Sequence, residues 1–535
     1  MAPPQAASAC AWDGAGAPRS LFAAPQVAVR FKEAFVIRKM VVCSLLLAAC
    51  GVERDAETDA ETAELGGELA PPHRRVVPGA GLQLLEVTDD NDAIYQAGQQ
   101  VFAAPLGSSA APVLISDVPA GNTAFVFRVG RVAFVWTNPD RTLPGFGVSP
   151  LVIWSARGGA HLASQASAIG TLAVSASRDG GRVLFTSNAD PNGTTGDLVL
   201  ASADLTEQTT VAAGVAMGFP SGPCVPRATF HGPGDDLSMV FCAAGSATAT
   251  LAQWLSGVRR DLAQPLFAPP RMVVDPDTGR AATLLAGSRF PIAVDRRGEV
   301  TVLAQTAAVN VSLGGDGAVL YTVPPDASGL RGLFRVRGPQ PPRQVAQFLG
   351  LHTFLSGSTA LTQPITSPDG RQLLYFDAID PSLGLATDVV LGDARGVEPP
   401  VVLDASAATA VFAAPFTRDS QFALFARLDT STFAVGSMFV HGRGGTRQFS
   451  DAAGWQWNIA FGSTITYNDH TALDLTNPLA SVADLKVVDV ARHELEPRLI
   501  VRGANVTYLA SHRGTGVVYT LDSGPAPGLY VARVR

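Results

Sequence analysis

The feature that most constrains this chain is a short unit that keeps returning: a tight turn built on Asp and Gly, then a run of β-branched and aromatic residues. Its clearest copy runs from Ile365 to Phe376, with the turn Ser367-Pro-Asp369-Gly370 and the run Leu373-Leu-Tyr-Phe376. Others read Ser177-Arg-Asp179-Gly180 before Val183-Leu-Phe185, and Asp316-Gly317 before Val319-Leu-Tyr321; weaker copies surround Asp419 and Gly514. An Asp side chain can bond its own backbone two residues on, and Gly accepts the positive φ of such a turn. The run that follows suits a strand buried on both faces. A further strand comes next, as in Leu198–Asp204, Leu333–Gly338 and Val389–Asp393, with matching segments near Val101, Val152, Trp254, Ile292, Met438, Leu485 and Leu529. The repeat of roughly 40 to 55 residues falls in the range of propeller blades. With 53 glycines, 38 prolines and no long helical periodicity, the chain reads as all-β.

The turn-strand-strand grammar resembles the repeats of the TolB-like β-propellers, the Ser367-Pro-Asp-Gly370 copy best, over most of residues 80–535. The resemblance implies a ring of four-stranded blades. Ten candidate third strands can be counted, whereas propellers typically have about four to eight blades; either one or two units are decorations, or the ring is unusually large, or there are two toroids, and the expectation is one ring of seven or eight. Leu82–Val87 is expected to close that ring as the missing outer strand of the last blade, which leaves no open edge between the termini.

Residues 36–50 hold two positive charges, Arg38 and Lys39, a short apolar run from Val41 to Leu47, two alanines and Cys50. This is the layout of a secretory signal, and the run is too short to span a bilayer, which takes roughly 20 apolar residues. Leu47-Ala-Ala-Cys50 resembles the lipobox of bacterial lipoproteins. The resemblance implies lipidation of Cys50, cleavage before it, and, with Gly51 second, an outer-membrane address. Residues 1–35 would bury the signal inside the chain, so Val36 or Met40 is expected to be the true initiator, with 1–35 a disordered extension and 36–49 the signal peptide. Seven acidic residues lie between Glu53 and Glu68 against one arginine, a composition that cannot offset ordering entropy. Residues 50–79 are therefore expected to be a disordered tether, with the propeller at 80–535.

The remaining chemistry is sparse. A hairpin about Gly232-Pro-Gly234 would set Cys224 and Cys242 opposite one another, within disulfide range, or leave them as buried thiols. Asp275-Pro-Asp277-Thr-Gly279, Asp89-Asp-Asn91-Asp92 and the loop Asp190–Asp197 could offer carboxylates to calcium. None has the spacing of a full calcium loop, and each reads first as a solvated turn, so no cofactor is expected. The eight histidines are dispersed, His493-Glu494 lacks the second histidine of a zinc-protease helix, and no Gly-x-Ser-x-Gly elbow, Walker loop or Rossmann fingerprint occurs. Trp136, Trp154, Trp254, Trp455 and Trp457 could line a ligand surface, although aromatics on alternating strands belong more often to cores; Trp455 and Trp457 share one strand face and are the pair to test. The net charge of -7 without clustered Lys and Arg excludes a nucleic-acid surface.

These features point to a membrane-anchored monomer in the cell envelope, periplasmic or at the surface, whose propeller is a non-enzymatic protein-binding or scaffold module. Carbohydrate or peptidoglycan binding stays open, as does a propeller lyase or hydrolase with an active site in the central channel, because each blade could supply one catalytic residue.

Overall fold

A computed structural model describes residues 73–535, apart from 140–146, 170–173, 218–225, 233–235, 263–264, 268–271, 315, 350–364, 377–378, 381–384, 387, 405–408, 411–414, 430–433, 452, 473–481, 506–507, 511–515, 523–525 and 535. For some strand residues, among them 453–461, only the backbone is described.

Among the described residues the chain forms ten four-stranded antiparallel sheets, and nine of them take their strands in sequence order from innermost to outermost. The blades span 82–117, 125–168, 175–216, 227–261, 273–302, 310–349, 365–404, 409–450, 453–505 and 508–533. Blade 4 carries one extra short strand, Leu266–Phe267, on its third strand. A two-stranded hairpin, Ile379–Asp380 with Leu385–Ala386, projects from blade 7.

Burial follows position in the sheet. The second strands Val132–Trp136, Asp236–Phe241 and Val319–Thr322 are buried along their whole length. The outer strand Val258–Asp261 is exposed along its whole length. A second strand has a neighbouring blade on each face, so every side chain meets apolar surface, and its sequence is a continuous apolar run rather than an alternation.

Ten blades, rather than seven or eight, form the ring, and the reason lies in the cores. Among the described residues the buried apolar side chains form ten clusters, each bridging one blade and the next. Ile94 and Val101 of blade 1 meet Val135 and Trp154 of blade 2. Leu485 and Val487 of blade 9 meet Val517 and Tyr519 of blade 10. The cycle closes where Val518 and Leu529 of blade 10 pack on Leu84 and Tyr95 of blade 1. Every unit has a core on both sides, so none is a decoration.

The strand that seals the ring also differs from expectation. Leu82–Val87 is the innermost strand of blade 1, paired with Asp92–Ala97. The outer strand of blade 10 is instead His73–Pro78, antiparallel to Gly528–Arg533 with His73 opposite Ala532. The propeller thus begins at His73, inside the stretch assigned to the tether. Leu82, Leu84 and Val87 are buried and belong between two blades; an outer strand would leave them in water.

Candidate functional site

In an antiparallel meander the first–second and third–fourth turns lie on one face of the ring, and the second–third turns on the other. The first of these, the turn face, carries the Asp-Gly motifs. In blade 7 the Ser367 hydroxyl donates to Asp369 Oδ1 at 2.6 Å, the Arg371 N–H donates to the same oxygen at 3.0 Å, and the Gln372 N–H donates to Ser367 Oγ at 2.9 Å. Gly370 has φ +68°. Blade 3 repeats the pattern: Ser177 to Asp179 at 2.7 Å, the Gly181 N–H to Asp179 at 2.9 Å, and Gly180 at φ +77°. Blade 8 builds it from Thr417, Asp419 and Ser420, the last at φ +60°.

In blades 3 and 7 these bonds hold the turn carboxylate below its ordinary range. At Asp179 the Gly181 N–H and the Ser177 hydroxyl are the main causes. At Asp369 burial pushes upward, but the Ser367 hydroxyl, the Arg371 N–H and the Arg371 charge outweigh it. Outside this motif, hydroxyls of Ser202 and Thr206 lower Asp204 to about 2. A carboxylate stabilised by donors of its own turn is a structural group and a poor acid or base.

The stretches weighed for calcium sit on these turns or on their counterparts at the other face. Asp275 accepts from the Asp277 N–H at 2.9 Å and the Thr278 hydroxyl at 2.7 Å, in the first turn of blade 5. Asp190 accepts from the Thr195 N–H at 2.6 Å and the Thr194 hydroxyl at 2.8 Å. Asp197 accepts from the Gly214 N–H at 3.0 Å. Among the described residues no group of three or more His, Cys, Asp or Glu is arranged to hold a metal. Asp89–Asp92 forms the first turn of blade 1, with Asn91 at φ +62°.

One Ser–His contact occurs in blade 4, where His231 Nε2 lies 3.0 Å from Ser238 Oγ. Ser238 is fully buried and His231 nearly so, so the hydroxyl has no path to a substrate. The imidazole packs against Gly279, where an added Cβ would clash with Nδ1.

The turn face also carries a cavity of about 470 Å³ between blades 8, 9 and 10. Asp419 contributes from blade 8 and Val534 from blade 10; Ser463, Asp489, Arg492, Glu496 and Arg498 come from blade 9. Its rim is preorganised. Arg447 of blade 8 donates to the carbonyls of Val490, Arg492 and His493, pinning the loop between the third and fourth strands of blade 9. Ser463 donates to Asp489 at 2.7 Å, and Arg492 Nε lies 3.6 Å from the same carboxylate. Glu496 and Arg498 bring opposite charges to the cavity without an ion pair among the described residues, and Arg498 donates to the Val534 carbonyl at 3.4 Å. Nothing in the sequence singles out this pocket, because its walls come from three blades. The chain enters the ring beside it, since His73 lies opposite Ala532, two residues before Val534.

Of the residues singled out in the sequence, Cys242 is buried and disulfide-bonded; Cys224 and Cys50 lie outside the described residues. Trp136 and Trp154 are core residues, Trp136 donating to Ser167 Oγ at 3.1 Å, and Trp254 packs on the core between blades 3 and 4. Trp455 and Trp457 lie in the inner strand of blade 9, Trp457 opposite Tyr467, and their side chains are outside the described residues.

No protein-family model and no curated protein matches this chain. Some solved structures are similar to it over part of its length. It is similar to a eukaryotic initiation factor at 13% identity, over 72% of this chain and 89% of that one, with a TM-score of 0.42. It is similar to TolB from Acinetobacter baumannii at 13%, over 60% and 76%, with a TM-score of 0.26. The β-propeller domain of the Trilobed protease from Pyrococcus furiosus is similar at 11%, over 70% and 98%, with a TM-score of 0.29. These likenesses concern the β-propeller fold alone.

Proposed function

We propose that this chain is an envelope lipoprotein, anchored through Cys50, whose propeller is a non-enzymatic module that binds a protein segment of mixed charge at the cavity between blades 8, 9 and 10. The observation that carries the reading is the cavity's composition: a preorganised, polar pocket to which Glu496 and Arg498 bring opposite charges. The turn aspartates around it are occupied by their own turns, which leaves the face suited to recognition. A charged peptide answers Glu496 and Arg498 with its own side chains. A sugar would instead favour aromatic platforms, and the cavity lining contains none among the described residues.

Affinity capture of the full chain from native envelope tests this, comparing wild type with the double charge reversal Glu496→Lys, Arg498→Glu. Reversing both charges in a complementary contact costs several kcal/mol, so the partner should be lost from the captured material while the variant keeps its thermal midpoint. Equal capture by both proteins would remove the cavity from the reading. Capture of glycan fragments alone would favour carbohydrate binding. Anchoring is tested separately: Cys50→Ser should move the protein from the membrane to the soluble envelope fraction.

A further inference from the structure

Two blades begin their second strand with a buried aspartate, and the two carboxylates are treated differently. In blade 4, Asp236 is 3% exposed, accepts from the Ser256 N–H at 3.0 Å, and is ion-paired to Arg296 from the adjoining blade. In blade 1, Asp92 occupies the equivalent position and is 7% exposed, yet its Oδ2 has no hydrogen-bond partner. The neighbouring residue, Asn91, carries a second buried acceptor without a partner, its Oδ1.

The arginines that blade 2 sends toward this turn are engaged elsewhere. Arg128 lies 2.5 Å from Asp89 and 3.6 Å from Glu86, and Arg131 lies 3.5 Å from Asp90. Asp90 is close enough for its charge to act on Asp92; with burial as the larger cause, the two push the Asp92 carboxyl up to about 6. A buried carboxylate oxygen without a donor is costly, and so is a buried amide oxygen beside it. Both are hard oxygen donors, the kind of ligand a divalent cation of the calcium type takes.

We infer that the first turn of blade 1 is a binding site for a hard divalent cation of the calcium type, held by Asp92 and Asn91 with Asp90 beside them. The cation does in blade 1 what Arg296 does in blade 4. Calcium accepts carboxylate, amide, carbonyl and water oxygens together, so two carboxylates and an amide suffice as protein side-chain ligands when backbone and water complete the shell. A site with so few charges belongs with the weak extracellular modules, with a Kd of about 10⁻⁴–10⁻³ M.

The test is a titration of the full chain with Ca²⁺, and separately Mg²⁺, up to about 10 mM at pH 7.5, followed by calorimetry and thermal unfolding; this range brackets the affinity expected above. One saturable site and a rise in the thermal midpoint are expected. Asp92→Asn should abolish the saturable heat, and Asn91→Ala should weaken binding by roughly tenfold or more. Asp236→Asn, which alters the blade 4 counterpart, should leave the affinity unchanged. Should Asp92→Asn fail to fold, Asn91→Ala and Asp90→Asn still decide the matter, since both residues are only half-buried. Any cation binding by the acidic stretch 53–68 would survive Asn91→Ala, which separates the two. The inference is overturned if neither cation gives saturable binding up to about 10 mM. It is equally overturned if the Asn91 and Asp90 variants bind as wild type does.

Discussion

Ser420 holds a backbone conformation that costs a side-chain-bearing residue about 1–2 kcal/mol relative to Gly, where its counterparts in blades 3 and 7 are Gly180 and Gly370. What retains it is visible one blade away: the Asp369 N–H donates to Ser420 Oγ at 3.0 Å, tying the turn of blade 7 to that of blade 8. Ser420→Ala keeps the strain and removes the acceptor, so it should cost about 1–3 kcal/mol in urea unfolding. Ser420→Gly relieves the strain as it loses the bond and should fall near zero. If Ala proved as stable as wild type, the inter-blade bond would contribute nothing. The sequence shows Thr417-Arg-Asp419-Ser420 only as a weakened motif, because the compensation comes from Asp369, which is distant in sequence and adjacent only after folding.

At the scale of elements, the closing strand His73–Pro78 shows why a strand can be hard to read. Its first three residues are exposed and basic, and Val77 is its one fully buried side chain. An outer blade strand packs on one side only, so it needs little apolar sequence. Leu82–Val87 looks the better candidate because it is more apolar, and it is more apolar because it lies between blades. Deleting residues 73–78 removes the burial of Val77, about 1.5–3 kcal/mol, and ladder bonds worth about 0.5–1.5 kcal/mol each. It also bares the edge of Gly528–Arg533 for pairing with other chains. The deletion should lower the thermal midpoint by several degrees and promote oligomers, read by calorimetry and light scattering; an unchanged monomer with an unchanged midpoint would show that the ring closes without it.

For the whole molecule, the turn carboxylates act together on stability. Asp179, Asp369, Asp316 and Asp275 are all held below their ordinary value. A group whose folded-state pKa is depressed contributes stability that is full above its unfolded value, about 4, and is lost as pH falls through the folded value. The thermal midpoint should therefore drop steeply below pH 4, and Asp179→Asn combined with Asp369→Asn should flatten that drop. An acid limb unchanged in the double variant would place the acid sensitivity elsewhere. The count of ten units was legible, since each third strand has its own apolar run. The size of the ring was not, because it depends on the angle at which blades wedge together, and that angle is set by side chains meeting across ten separate interfaces.

The blade unit, its Asp-Gly turn and its fully buried second strand follow from this sequence alone, because their causes act within about ten residues: a carboxylate bonded two positions on, a positive φ at Gly, an apolar run. The tertiary structure decided which strand seals the ring, that all ten units belong to it, and that Asp236 receives an arginine while Asp92 does not. It also built the cavity of Asp419, Glu496 and Arg498. Each of these depends on a partner supplied by another blade, and a repeat carries no record of what its neighbour will bring.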